Sequence, residues 1–85
     1  MKYSLSIRKR ADKFLRSLPK RDYHLVSTAM LSLGDNPYQP GHKKLKSYES
    51  TYRIRAGNYR ILYEIEGTKL LVTVVDIGDR KNIYD

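Results

Sequence analysis

The chain has 85 residues, enough for one domain with one hydrophobic core and too few to enclose a large cofactor as well. It contains no cysteine, which excludes disulfide bonds, thiol nucleophiles and thiolate metal sites. Its 17 lysines and arginines outnumber 9 aspartates and glutamates, giving a net charge of +8. We therefore expect a polyanionic partner, nucleic acid first and an acidic protein second, with an inert basic surface as the alternative. The sequence lacks the roughly 20-residue apolar run of a membrane span, and its start does not look like a signal peptide. We expect a cytoplasmic protein without membrane contact.

Apolar periodicity predicts a strand followed by two helices. Alternating apolar and polar residues over 3–7 indicate a short strand with one buried face. From Arg8 the apolar residues fall at helical spacing, and Pro19 ends this helix or opens the next, because proline cannot continue a helix from within. A second helix carries an apolar stripe from Leu25 to Leu33. The two helices should form an antiparallel hairpin.

The second half of the chain predicts a loop and then β-structure. Residues 37–50 contain two prolines and a glycine and are predicted to be a loop. Three strands joined by two-residue turns are predicted over 52–56, 59–66 and 69–77. Residues 78–85 follow as a polar tail. We predict one α+β domain over 1–85, ordered β-α-α-β-β-β, with the helix hairpin packed on one face of a mostly antiparallel four-stranded sheet.

Arginines concentrate on one face of this predicted sheet. Neighbouring strand residues face opposite ways, so Arg53 and Arg55 share a face, and the helices must cover the apolar residues on the other face. A tight turn after Ala56 places Arg55 close to Arg60 on the next strand. Three guanidinium groups should then share one uncovered patch, where their mutual repulsion suggests an anionic partner. The alternative is a solvated strand face that is basic without function.

The patch has phosphate-binding chemistry and no obvious base. Arginine binds phosphate through a planar fork and stabilises charge on a phosphorane, but its pKa above about 12 makes it a poor proton carrier. His24 is expected on the helix surface, and His42 is expected in the loop, with phosphate contact as its alternative role. A metal site would need clustered carboxylates. Glu64 and Glu66 are instead expected to pair with basic neighbours and bound the patch.

Tyr84 is the remaining candidate for proton transfer. Adjacent cations such as Arg80 and Lys81 would lower the pKa of its phenol, while a nearby terminal carboxylate would raise it. The ring could also stack on a base. Anchoring of the C-terminus is the alternative role.

These residues resemble a known family. The run Tyr-Arg-Ile-Arg-Ala-Gly-Asn-Tyr-Arg-Ile-Leu-Tyr-Glu over 52–64 looks like the signature of the RelE/ParE toxin superfamily. Further matches follow the family's order at 18–20 (Leu-Pro-Lys), 36–37 (Asn-Pro), 44–46 (Lys-Leu-Lys) and 80–84 (Arg-Lys-Asn-Ile-Tyr). The resemblance covers essentially the whole chain.

The resemblance implies a fold like that of the microbial ribonucleases and the toxin of a type II toxin–antitoxin system. RelE-type members cleave messenger RNA in the ribosomal A site, by attack of the 2′-hydroxyl and without a metal or cofactor. The implied partners of the toxin are a cognate antitoxin, messenger RNA and the ribosome with its rRNA. Operator DNA is an implied partner of the toxin–antitoxin complex only. By position, the implied catalytic residues are Arg53, Arg55, Arg60, Arg80 and Tyr84. The residues expected to contact RNA or the ribosome are Lys43, Lys44, Lys46 and Lys81.

The chain departs from the RelE pattern at two positions. Arg53 and Arg55 stand where the RelE type often has lysine, so the base could be Tyr84 or a ribosomal group. The superfamily also includes ParE-type toxins, which inhibit DNA gyrase without catalysis, and this stays the alternative function. A non-catalytic RNA-binding module is a third possibility, but it leaves Tyr84 unexplained.

Overall fold

Two helices lie on one face of a mixed sheet in the computed structural model, which describes residues 2–39, 42–44 and 51–79. The elements are β1 (Ser4–Ile7), α1 (Lys9–Arg16), α2 (Lys20–Ser32), β2 (Lys43–Lys44), β3 (Thr51–Ala56), β4 (Tyr59–Glu66), a 3-10 turn (Gly67–Lys69) and β5 (Leu71–Asp79). The strand order is β1-β5-β4-β3-β2, with β1 parallel to β5 and the other neighbours antiparallel. The predicted α+β class and the helix hairpin on a mostly antiparallel sheet are confirmed.

The hairpin of β3 and β4 has the register that the sequence predicts. Gly57 has φ +61°, a conformation open to glycine at the first central position of a two-residue turn. The turn pairs Ala56 with Tyr59 and Arg55 with Arg60. Because the register continues without a shift to the pair of Thr51 and Glu64, the turn fixes the position of every side chain along β3.

Both helices bury one stripe and begin with favourable electrostatics. In α1, Ala11 and Leu15 are buried, and Asp12 in the first turn pairs with Arg16 at 2.9 Å. In α2, Val26 and Met30 are buried. Pro19 is the residue that precedes α2, so it opens the second helix.

The core lies between the helices and the apolar face of the sheet. Tyr63 at its centre is fully buried, and its hydroxyl donates a 2.7 Å hydrogen bond to the Pro37 carbonyl. Its ring stacks on Tyr52 at 5.9 Å between centroids. Burial raises the pKa of the Tyr63 phenol, so it remains a donor at physiological pH. The sheet's other fully buried apolar residues are Ile61, Val72 and Val74.

The structure differs from the sequence prediction at three places in the sheet. Between β4 and β5 the predicted two-residue turn is a 3-10 turn (Gly67–Lys69) followed by Leu70 in a left-handed conformation, so β5 begins at Leu71 and not at residue 69. A two-residue strand, β2, lies inside the predicted loop and pairs with Tyr52 and Arg53. Two residues are too few to show a hydrophobic period. The strand β5 continues to Asp79, which pairs with Tyr59, although Gly78 and Asp79 were predicted to belong to the polar tail. A register shift between Leu62 and Tyr63 on β4 accommodates an extra residue on β5.

No helix among the described residues has the length and apolar character needed to cross a membrane.

We expect Leu70→Gly to stabilise the fold. Leu70 has φ +50°, a left-handed conformation that costs a non-glycine residue about 1 kcal/mol, and its side chain is 46% exposed. Glycine relieves this strain with little loss of buried surface. After the larger entropy of the unfolded chain is included, the free energy of unfolding should rise by about 0.5 kcal/mol or more. Leu31 is similarly exposed (47%) but lies in α2, so Leu31→Gly should destabilise by about 1 kcal/mol. Urea unfolding of both variants measures whether the free energy of unfolding rises or falls. An equal decrease in Leu70→Gly and Leu31→Gly would contradict the strain at Leu70.

Candidate functional site

Three arginines share the face of the sheet that points away from the helices. Ile54, Ala56 and the core residues of β4 face the helices, so the alternation of β3 places Arg53 and Arg55 on the opposite face. Arg60 is the register partner of Arg55, and Arg53 lies opposite Leu62. We call this surface the arginine face, defined by Arg53, Arg55 and Arg60. Two adjoining strands therefore bring the three predicted residues together.

The prediction that the three arginines form an uncovered patch was wrong, because two of them are buried. Arg53 is 4% exposed and Arg60 is 6% exposed, whereas Arg55 is exposed. Arg53 and Arg60 are both engaged with neighbouring groups. A buried guanidinium without partners would be too costly, so burial and engagement go together. The period of a strand indicates which face a side chain takes, but it carries no information about what packs over that face.

Residues of β4 and β5 border the arginine face. Gly78 on β5 is the register partner of Arg60, so no side chain stands directly opposite this arginine. On the other side of the face, Glu64 lies 3.6 Å from Arg8, and Glu66 lies 3.6 Å from Lys69. The two glutamates pair with basic neighbours, as predicted.

The structure describes two of the predicted lysines and none of the predicted tail residues. Lys43 on β2 pairs with Arg53, which puts this position next to the arginine face, and Lys44 is exposed opposite Tyr52. The described chain ends at Asp79, beside Tyr59 at the turn end of β4. Four predicted residues lie outside the described part of the chain: Lys46, Arg80, Lys81 and Tyr84.

Neither histidine lies on the two strands that carry the arginine face. His24 is exposed on α2 with its ring against Tyr23. The His42 ring packs with Tyr38 and Tyr52, and its Nδ1 lies 2.7 Å from the Gln39 carbonyl oxygen. Sequence reasoning missed this aromatic cluster because its members come from a loop and a strand far apart in the chain. The contacts give His42 a packing role in the loop.

A polar contact joins the start of α2 to β4. The Tyr59 hydroxyl donates a 2.7 Å hydrogen bond to the Asp22 carboxylate, which raises the pKa of Tyr59. The Tyr59 ring also meets Phe14 edge-on, at 6.1 Å. This contact fixes α2 against the turn end of the hairpin that carries the arginines.

Grooves lie beside both helices in the described part of the chain. One, of about 420 Å³, lies between α1 and the end of β5, where Arg10 faces Asp76 at 3.4 Å. The other, of about 760 Å³, lies between α2 and β3 and reaches Arg55. Within residues 2–39, 42–44 and 51–79, no three histidine, aspartate or glutamate side chains are grouped as metal ligands. The chemistry available in the described site is that of fixed cations on a sheet.

The fold and the site define a class of protein: a small basic α+β domain with arginines on the free face of its sheet. A family model described as the ParE toxin of the type II toxin-antitoxin system parDE matches residues 3–84. The chain therefore belongs to this family, within the RelE/ParE superfamily of toxins.

Individual relatives agree with this assignment. The chain is 49% identical to toxin RelE3 of Methanocaldococcus jannaschii over 43 residues, which are 51% of this chain and 47% of that protein's length. Its fold is similar to that in the archaeal RelE–RelB complex of Pyrococcus horikoshii, with a TM-score of 0.84, 26% identity, and 98% and 100% of the two chains covered. The intact Escherichia coli RelBE toxin–antitoxin complex gives a TM-score of 0.77 and 25% identity, covering 91% and 95%.

Proposed function

We propose that this toxin is a ribosome-dependent endoribonuclease that cleaves messenger RNA in the ribosomal A site and acts in the cytoplasm. The observation that carries the proposal is the arginine face. Arg55 reaches solvent, while Arg53 and Arg60 are held beneath the surface on the same two strands. Cations held in place before the substrate arrives stabilise developing negative charge without reorganising during the reaction.

The cleavage is an internal transfer at phosphorus. The 2′-oxygen bonds to the phosphorus, and the bond from phosphorus to the 5′-oxygen of the next nucleotide breaks, leaving a 2′,3′-cyclic phosphate. A base removes the 2′-hydroxyl proton, and an acid protonates the departing oxygen. The arginines stay cationic and stabilise the charged phosphorane. No metal or cofactor takes part in this scheme.

The chain path supports a role for the tail. Arg80 follows two residues after Gly78, the register partner of Arg60. Tyr84 is five residues beyond Asp79, a span of at most about 18 Å when extended, so it can reach the arginine face. We assign Arg80 as a further phosphate-binding cation and Tyr84 as the group that takes the 2′-hydroxyl proton, with a ribosomal group as the alternative. Lys43, Lys44, Lys46 and Lys81 would bind RNA or rRNA backbone.

We further propose that a cognate antitoxin neutralises this toxin, because the similar Pyrococcus horikoshii and Escherichia coli toxins were solved as complexes with RelB or as RelBE. Operator DNA would be bound by the toxin–antitoxin complex. A second candidate function, non-catalytic inhibition of DNA gyrase, is favoured by the ParE description of the matching family.

Expression of the toxin should produce cuts inside codons of translated messages. Primer extension before and after induction measures these cuts, and a matched message without a start codon should remain intact. Plasmid supercoiling in the same cells is the control for the second candidate. Intact messages together with relaxed plasmids would contradict the nuclease and favour gyrase.

A further inference from the structure

Arg8, which follows β1, lies on the same side of the sheet as the arginine face. Leu5 and Ile7 pack against the core, and Arg8 keeps an extended backbone, so its side chain points away from the helices. The Arg8 N–H donates a 2.9 Å hydrogen bond to the Val74 carbonyl, and the Arg8 carbonyl accepts one of 2.9 Å from the Asp12 N–H. The Arg8 side chain therefore starts from a fixed point beside β5.

The Arg8 side chain crosses β5 and reaches β4. Its Nη2 atom lies 3.6 Å from Oε1 of Glu64, although β5 stands between β1 and β4 in the sheet. Glu64 is on the same face of β4 as Arg60, four residues earlier, a distance of about 13 Å at the rise of a strand. A phosphate bound at Arg8 would therefore be a different phosphate from the one at Arg60.

The ion pair between Arg8 and Glu64 is weak. Its 3.6 Å separation exceeds the length of a good hydrogen bond, and the two side chains are 61% and 41% exposed, so water screens their attraction. The pair of Arg16 and Asp12 on α1 is closer, at 2.9 Å. Phosphate oxygens could replace the Glu64 carboxylate at little cost, and they would accept two hydrogen bonds from the planar fork of arginine.

Arg8 also occupies a position that is unfavourable for the stability of α1. It is the N-cap residue, where Ser, Thr, Asp or Asn accepts a hydrogen bond from an N–H of the first turn. Arginine has no acceptor, and its charge lies next to the positive end of the helix dipole. A residue that breaks a local rule, and whose ion pair is weak, suggests a role in binding and not in folding.

We propose that Arg8 binds a backbone phosphate of the message, beside the scissile phosphate at the arginine face. The inference rests on the proposed nuclease function and adds a substrate contact outside the reacting centre. The Glu64 carboxylate opposes this contact, because it competes with the phosphate for Arg8. A phosphate of rRNA has the same chemistry. We expect the message as its source, because Arg8 shares its side of the sheet with Arg60.

Single-turnover cleavage of a message on programmed ribosomes, with full-length toxin in excess, tests the proposal. Arg8→Ser should raise the half-saturating toxin concentration about fivefold or more. The maximal rate should change less than about twofold, because a contact outside the reacting centre contributes binding alone. Serine can cap α1, so the same variant should melt about 3 °C or more above the wild type, which a merely structural role of Arg8 would not produce.

Variants at Glu64 and Arg16 complete the test. Glu64→Gln should lower the half-saturating toxin concentration by about twofold or more, because it removes the competing carboxylate. The control Arg16→Ser removes the same charge from the other end of α1 and should raise that concentration less than about twofold. A rise in Arg16→Ser equal to that in Arg8→Ser would show that net charge alone matters and would overturn the site.

Methylphosphonates, which are neutral, distinguish the two sources of the phosphate. They are placed one at a time at the message phosphates in and around the A-site codon. At one position the wild type and Arg8→Ser should have equal half-saturating concentrations, because the charge that Arg8 binds is absent. A difference that persists at every position would assign an rRNA phosphate to Arg8 and overturn the message as its ligand.

The outcomes separate this contact from the proposed function. Cleavage by the wild type with an unchanged half-saturating concentration in Arg8→Ser would overturn the phosphate site and leave the nuclease standing. A lower maximal rate in Arg8→Ser, with unchanged binding, would place Arg8 in the reacting centre and also overturn the proposal. If the wild type does not cut the message, the proposed function fails, and the contact at Arg8 fails with it.

Discussion

Replacing Arg60 with alanine should abolish growth arrest. Arg60 is buried on the sheet and is the register partner of the exposed Arg55, and a fixed cation at a reacting phosphate contributes about 10²–10³ in rate. Tyr84→Phe should reduce cleavage by about 10²-fold or more if its phenol carries the proton. Colony counts after induction and cleavage of a reporter message measure both effects.

Controls separate loss of chemistry from loss of fold. Arg60 is nearly inaccessible, so Arg60→Lys, which keeps the charge and most of the bulk, is the variant to compare with alanine. Lysine lacks the planar fork and should still lose most activity while melting close to the wild type. Arg16→Ala removes an exposed arginine of α1 and should remain toxic, because its ion pair with Asp12 is a surface pair. Full toxicity of Arg60→Ala and Tyr84→Phe would show that the assigned site is wrong.

Tyr63→Ala should unfold most of the protein at physiological temperature. The side chain is fully buried between sheet and helices, and truncation of a buried aromatic residue costs about 3–5 kcal/mol. The total stability of a domain is about 5–15 kcal/mol, and 85 residues place this one toward the lower end. Urea unfolding followed by circular dichroism measures the loss.

Tyr63→Phe isolates the hydroxyl from the ring. This variant keeps the stacking on Tyr52 but leaves the Pro37 carbonyl without its donor, an expected cost of about 1–2 kcal/mol. The more exposed Tyr23 is the control, and Tyr23→Ala should cost about 1 kcal/mol or less. An alanine variant at 63 within 1 kcal/mol of the wild type would contradict the central position of this ring.

The parts of the fold that could be predicted are those encoded by short-range patterns. The turn at Gly57 sets the register, and the register with the two-residue period places Arg55 opposite Arg60. The burial of Arg53 and Arg60 could not be predicted, because the two-residue period of a strand gives the face of a side chain and not its exposure. The strand β2 was missed because two lysines show no period.

Around the site, too, some features follow from the sequence and others do not. The pairing of Glu64 with Arg8 follows from an expected surplus of cations near β4, although the partner itself could not be named. The groove between α2 and β3 depends on the distance between a helix and a turn, and no local pattern in the sequence encodes that distance. The roles of Arg80 and Tyr84 remain predictions from the family resemblance and the chain path.

Cleavage of a defined message by purified toxin on programmed ribosomes decides whether the arginine face is catalytic. We predict a cut within the A-site codon, a 2′,3′-cyclic phosphate on the upstream fragment, and loss of the cut in Arg60→Lys with its fold intact. An intact message with the wild type, or equal cutting by Arg60→Lys, would contradict a catalytic role for the arginine face.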